Sequence, residues 1–453
     1  MPVALTAGLG KFIAGLRYQD IPKEAIAFAQ TGFADCVGVM IAGANEPPPQ
    51  LVRAMLAPTG NEATLLFGAG RASAPEAAWI NGAAAHALDF DDVAQRGHPS
   101  AVLVPAILAE AEAIGASGEA MLLAYAAGYE TWAELVRRDT GQHHVKGWHP
   151  TGIFGAIGAA AACASLRRLD AEKAAHAIAL GASQSAGLMS NFGTMTKPFH
   201  AGRSAHAGVV SARLAEKGFT ASPDALEHPQ GFLSAVSPDV KKVDRDSAIE
   251  AGSIWKLGRD GVSVKKYPLC YCTHRALDGM LDLLQAERVD AGKVSRITVS
   301  TSPRFVTILR NHAPQTGLEA KFSMEFAMAS AVIAGRAGLA ELTDGFVRRA
   351  DVQTMMKRVV LKQDEREDPA DPGNAIYDEI TLEADASRPP RSIQVNKVRG
   401  GAGQPLSREE LWAKFEGCVQ VGTANVPAKE LFDALLSLER LPQAGNLPGL
   451  KSA

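Results

Sequence analysis

Residues 21–218 repeat one pattern: a segment rich in Ala and Leu, closed by Gly, Asp or Ser, followed by another of the same kind. The segments 21–43, 75–90, 100–116, 118–138, 149–168, 171–189 and 200–218 have the composition and length of helices, and few strand patterns interrupt them. Pro22 at the entry and Gly43 at the exit of the first obey the usual asymmetry of helix ends. Pro105 lies inside another and predicts a kink, because it removes a backbone donor and crowds the preceding turn. The most apolar stretch, GIFGAIGAAAACA from Gly152 to Ala164, is shorter than the ~20 residues that span a bilayer and reads as a buried helix. Its glycines at 152, 155 and 158 predict close packing against a neighbour.

The pattern changes near residue 265. Segments 295–302, 357–363 and 377–385 alternate β-branched and polar residues with the period of strands, and helical patterns at 275–287 and 321–341 lie between them. Pro/Gly/Asp-rich stretches at 364–374 and 386–392 bracket the last strand, after which SREELWAKFEGCVQ and AKELFDALLSLERL are amphipathic helices again. The expected fold is mainly α: a large all-helical domain, discontinuous over 1–264 and 396–453, with a smaller α+β lid domain over 265–395.

Lys and Arg number 46 against 49 Asp and Glu, a formal charge of −3, so there is no basic excess to bind a phosphate backbone and nucleic acid is not an expected partner. Five cysteines are an odd, sparse set, and MPVALTAGLGKF has neither a basic region nor a long apolar run. A cytoplasmic location, no membrane association and no disulfide framework are the expectations.

Four segments carry chemistry. HALDFDDV places His86, Asp89, Asp91 and Asp92 at the C-terminal end of a helix, where the dipole disfavours carboxylates and a cation must compensate: His98 in HPS, a distant Lys or Arg, or a divalent metal. A solvated acidic helix end is the plain alternative. His149 in GWHPTG precedes Pro150 at a helix start, where dipole and burial favour neutral imidazole, although a lone His beside Pro is more often a cap. TMTKPFHAGRSAH gathers Lys197, His200 and Arg203 at the start of another helix; cations there oppose the dipole, which predicts an anion bridging them. KKYPLCYCTHRALD puts Cys270, Cys272 and His274 on one face if extended, but without the spacing of a structural zinc site. GxGxxG after a strand, HExxH and GxSxG are all missing.

Together HALDFDD, HPS, HPTG, TKPFHAGRSAHAGVVSARLAEKGF, YPLCYCTHRALD and KFSMEFAMA, in this order, resemble the MmgE/PrpD family, which includes 2-methylcitrate dehydratases, cis-aconitate decarboxylase and iminodisuccinate epimerase. The resemblance covers nearly the whole chain and implies a homodimer of helical domain plus lid. It implies catalytic roles for Asp89, His98, His149, Lys197 and His274, substrate-binding roles for His200, Arg203, Lys266 and Tyr271, and no cofactor or metal. Two positions depart from it: Phe326 stands where decarboxylase-like members carry Tyr, and Tyr271 where many dehydratase-like members carry Arg.

The first expectation is therefore a cofactor-independent lyase taking a small di- or tricarboxylate, dehydrating a 2-methylcitrate-like hydroxy acid; epimerisation and decarboxylation are the alternatives. A metal-dependent helical synthase fits the acidic cluster but lacks its second metal motif, and a silent binding protein is a further class. All rest on Lys197, His98 and His149 converging on one electropositive hollow.

Overall fold

Local signals place the helix starts in the computed structural model, which describes residues 4–369, 371–384 and 387–450, with main chain alone at 371–373. Both donors of Ser73 reach Glu76 Oε2, Oγ at 2.6 Å and N at 3.2 Å, a reciprocal capping box that opens the helix Ala74–Ala87. The Ser117 and Asp170 side chains accept from Ala120 N and Lys173 N at the starts of Gly118–Arg138 and Ala171–Ser183. His98 and His149 are themselves the N-cap residues of Pro99–Ile114 and Pro150–Leu166, each with Pro in the first helical position. The first of these helices runs on through Pro105.

The chain divides into two compact units, residues 1–263 with 407–453 and residues 264–406. The first is built from helices Leu5–Gly15, Lys23–Gly43, Pro47–Leu56 and the five long helices from Ala74 to Ser183 named above, together with Thr196–Glu216. Every residue of Pro150–Leu166 is buried. A Cβ on Gly152 would stand 2.1 Å from Ala186 O and one on Gly158 3.2 Å from Gly128 O, so these glycines serve close packing, as expected. Among the described residues Lys23–Gly43 is the one helix long and apolar enough to cross a membrane, and 72% of its most apolar window is buried in the structure.

The C-terminal helix Arg408–Val421 lies against Lys23–Gly43: Phe415 would touch a Cβ on Gly38 at 2.9 Å, and Lys414 Nζ pairs with the buried Asp35 at 2.5 Å. The same ammonium donates to the main-chain oxygen of Phe90 at 2.7 Å, tying this helix to the acidic loop.

The smaller unit carries a four-stranded sheet in the order Val359–Gln363, Val294–Thr301, Asp378–Ala384, Arg391–Val395. The first pair is parallel and the others antiparallel, with Ile297 opposite both Val359 and Leu382. Helix His274–Ala286 packs on the last two strands, where a Cβ on Gly279 would meet Ile380, Ile393 and Val395. Arg391–Val395 was not expected, because its start was read as part of the Pro-rich stretch 386–392. Glu367–Asp368 and Asp371–Ala375 pair as a small ribbon within the stretch expected to be irregular. Position 385, assigned to the third strand from sequence, position 386 of the following stretch and position 370 lie outside the described residues. Residues 396–406 were expected in the helical domain and instead join the smaller unit: Val264 N donates to Gly400 O at 2.8 Å, and Arg399 N donates to Asp278 Oδ2 at 2.9 Å.

Candidate active site

Two helices of the larger unit bring the first pair of functional groups together. Ala74–Ala87 and Thr196–Glu216 run antiparallel with Gly82 facing Gly202: a Cβ on Gly82 would lie 2.8 Å from Gly202 Cα, and one on Gly202 2.3 Å from Trp79 O. Only glycines permit that approach, and it sets His86 against Lys197. Lys197 Nζ lies 2.8 Å from His86 Nε2 and 2.6 Å from Asp89 Oδ1, with all three residues buried. Asp89 reaches the ammonium because the chain leaves the helix in the left-handed region, φ +51°, a conformation that Asp tolerates better than most residues. Lys197 sits in the first turn of its helix, where its charge opposes the dipole. Its anionic partner, expected to be a ligand, is the chain's own Asp89.

The three carboxylates of the acidic loop part company. Asp91 Oδ1 accepts from His86 Nδ1 at 2.8 Å, and Asp91 Oδ2 stands 3.0 Å from His98 Nδ1. Burial opposes its ionisation, yet its contacts with the imidazoles of His86 and His98 hold it well below the usual carboxylate range. Asp92 turns the other way, accepting from Ser100 Oγ at 2.6 Å and Ser100 N at 3.3 Å. Burial, with Asp35 and Asp91 adding repulsion, pushes it well above the carboxylate range. Beyond it Ser100 Oγ and the Tyr125 hydroxyl are 2.7 Å apart.

His98 Nδ1 is also 3.0 Å from the main-chain oxygen of Asp92, while its Nε2 points toward Asp89, 4.0 Å from Oδ1. The loop before it holds Gln95 and Arg96 at positive φ, clamped by Trp132 Nε1 donating to Gln95 O at 3.1 Å. His149 lies across the cluster, its ring 5.9 Å from that of His86 and nearly parallel, and its Nδ1 is 3.1 Å from His200 Nδ1. One nitrogen of that pair carries a proton and the other does not. Burial first, and Lys197 second, lower His149 well below the ordinary imidazole value and His200 to about 4; burial takes His86 to about 3.

Asp89, His98, His149, Lys197 and His200 thus converge, and Arg203 does not join them. Its guanidinium lies over Trp79, 5.2 Å from the ring centroid, and 2.6 Å from His206 Nδ1. The cluster is also not electropositive as expected: the groups named bring one ammonium, Lys197, to two carboxylates, Asp89 and Asp91. Atoms of His86, Asp89, Asp91 and His98 lie within 4.8 Å of one another, as do those of His86, His98 and His149, spacings that a metal ion accepts. Lys197 Nζ already provides the cation to two of these groups, which is how the acidic helix end is compensated.

Lys266, Tyr271 and His274 belong to the smaller unit. Lys266 and Tyr271 are half-buried; His274 is buried, opening helix His274–Ala286, with Nε2 3.2 Å from Leu269 O and the rings of Tyr267 and Tyr271 both at 5.1 Å. Cys270, Cys272 and His274 do not share an extended face, because Tyr271–Thr273 is a turn of 3₁₀ helix. Phe326 is fully buried on helix Met324–Ala334, its ring edge-on to Phe346.

Sequence reasoning named His86 and Asp91 as part of an acidic cluster without assigning either a task. Alternation along HALDFDD held no signal for which carboxylate meets which imidazole.

The chain is 29% identical over 352 residues to the cis-aconitate decarboxylase of Homo sapiens, covering 75% of this chain and 71% of that protein. It is 27% identical over 392 residues to the Mus musculus enzyme of that name, covering 83% and 78%. To that of Aspergillus terreus it is 23% identical over 469 aligned residues, covering 96% and 94%. The MmgE/PrpD N-terminal domain matches residues 7–243, which contain the whole His86–Asp89–Lys197 cluster, and the MmgE/PrpD C-terminal domain matches residues 267–439. By these two matches, which take in most of its length, the chain belongs to the MmgE/PrpD family.

Proposed function

We propose that this protein is a cofactor-independent lyase that releases carbon dioxide from a small unsaturated polycarboxylate of the cis-aconitate kind. The observation that carries the reading is the buried Lys197 ammonium set among three imidazoles, His86, His98 and His149, on a chain similar along most of its length to cis-aconitate decarboxylases. In such an acid one carboxylate is attached next to a carbon that bears a double bond. When carbon dioxide leaves, the pair from the broken carbon–carbon bond forms a new double bond, and the old one takes up a proton at its far carbon. The chemistry asks for a fixed cation to hold the remaining carboxylates and a proton donor in line with that carbon. Lys197 suits the first task, since a clamp needs no depressed pKa, and His98 or His149 the second. Asp89 holds the ammonium in place.

Dehydration of a 2-methylcitrate-like hydroxy acid is the second reading, favoured by Phe326, which has no hydroxyl where decarboxylase-like members carry Tyr. Purified protein incubated separately with cis-aconitate and 2-methylcitrate decides between them. Carbon dioxide from the first supports decarboxylation; alkene absorbance from the second, without carbon dioxide from the first, replaces it with dehydration.

A further inference from the structure

We propose that Thr151 is a positioning residue: its hydroxyl accepts the main-chain N–H of His98 and so fixes one candidate proton-transfer group against the turn that carries the other, His149. The inference rests on the reading of this cluster as catalytic. His98 and His149 are the N-caps of two different helices, Pro99–Ile114 and Pro150–Leu166, each followed by Pro. A helix leaves the N–H groups at its start without partners inside the helix. At the start of Pro99–Ile114, Pro99 has no such group, Ser100 N donates to Asp92 Oδ1 at 3.3 Å, and His98 N donates to Thr151 Oγ1 at 3.2 Å. The last of these crosses to the first turn of the other helix, where Thr151 follows closely on His149 and is fully buried.

The loop before His98 is shaped for that contact. A Cβ on Gly97 would lie 3.1 Å from both Thr151 N and Thr151 Oγ1 and 2.8 Å from the Trp132 ring, so the main chain there rests directly on Thr151. His98 is therefore held twice, its main chain by Thr151 and its ring by the main-chain oxygen of Asp92, 3.0 Å from Nδ1. The first hold sets the spacing of the two imidazoles, whose rings meet edge-on with centroids 6.4 Å apart. Thr151 acts through His98 and His149 alone.

Thr151→Val tests the proposal, because it keeps the shape of the side chain and removes the acceptor, whereas Thr151→Ser keeps the acceptor. Misplacing a reacting group by about 1 Å can cost ~100-fold in rate. For Thr151→Val, kcat is expected to fall roughly 10- to 100-fold with KM changed less than about threefold, and Thr151→Ser is expected to recover most of the loss. Thr131→Val is the control for burial and stability. Thr131 is also fully buried, but its hydroxyl donates at 2.8 Å to Ala127 O within its own helix, so this substitution should leave kcat unchanged. The readout that lost stability alone would not move is the nitrogen–proton spectrum of the histidines well below Tm, assigned from His98→Gln and His149→Gln. The His98 amide and the His98 ring signals are expected to shift in Thr151→Val and to return toward their wild-type positions in Thr151→Ser. A Thr151→Val enzyme as fast as Thr131→Val overturns the proposal, as do unmoved His98 signals in it or a Thr151→Ser enzyme no faster than Thr151→Val. A wild-type His98 amide that exchanges with solvent as fast as an unprotected one overturns it too, and that measurement needs no variant to fold. If the wild type turns over none of the acids, the proposed function fails, while the amide exchange and the spectra still decide the contact.

Discussion

Lys197 Nζ and Asp89 Oδ1 are 2.6 Å apart inside the helical unit, and Asp89 holds its side of the contact from a left-handed backbone conformation. Removing one partner of a buried pair leaves the other charge unpaired, which typically costs about 3–5 kcal/mol, whereas removing both costs far less. Lys197→Met is therefore expected to lower the urea midpoint sharply, and Lys197→Met with Asp89→Asn to regain much of it. Both variants should be inactive, by at least ~10³-fold if the ammonium stabilises developing charge. Denaturation and turnover measured side by side check this; a stable, active double variant removes Lys197 from the chemistry.

Gly202 makes the contact geometrically possible. Alanine there would place a methyl 2.3 Å from Trp79 O, so the two helices must separate or the backbone must shift. Overpacking of this kind costs about 1–3 kcal/mol. The expected result for Gly202→Ala is a lower Tm together with a loss of kcat, because His86 and Lys197 sit on the two helices being pushed apart. Unchanged kcat at a lowered Tm would show that the site tolerates the displacement.

The histidines predict a direction for pH. Burial and Lys197 take His200 to about 4, and burial takes His86 to about 3, so the native rings stay neutral while unfolded histidine titrates near ~6.5. Stability from these two groups is complete above that value and is lost as pH falls through it, down to about 4 for His200 and about 3 for His86. Their ring shifts should be flat between pH 8 and 6 in the free protein. A bound polyanion stabilises the charged imidazole and raises these values, so a tricarboxylate should bind with proton uptake and more tightly at pH 6 than at pH 8. Calorimetry in buffers of different ionisation enthalpy measures the uptake; proton release on binding would contradict it.

Phe326→Tyr adds a hydroxyl to a ring that is fully buried and edge-on to Phe346. An unpartnered buried hydroxyl costs about 1–3 kcal/mol by mutational measures. A fall in Tm without any gain in carbon dioxide release is the expected outcome. A gain in turnover would instead place this position in the chemistry and explain its Tyr in decarboxylase-like members.

What could be read without coordinates was whatever the chain encodes locally. Helix periodicity, Pro22 and Pro150 at helix starts and Gly43 at a helix exit are signals spanning a few residues, and the long helices follow them closely. His149 could be placed at a helix start for the same reason. The strand Arg391–Val395 could not, since it is defined by pairing with Asp378–Ala384, and residues 396–406 were misassigned because their hydrogen bonds run to Val264 and Asp278.

The residue types of the site were likewise decided by the sequence, and their division of labour by the tertiary structure. Asp89, Asp91 and Asp92 are nearly adjacent, yet one pairs with Lys197, one meets two imidazoles and one accepts from Ser100. Arg203, one turn from His200, leaves the cluster for Trp79. Electrostatic roles depend on distances of a few ångströms between segments more than a hundred positions apart, and the packing of Gly82 on Gly202 sets the one between His86 and Lys197.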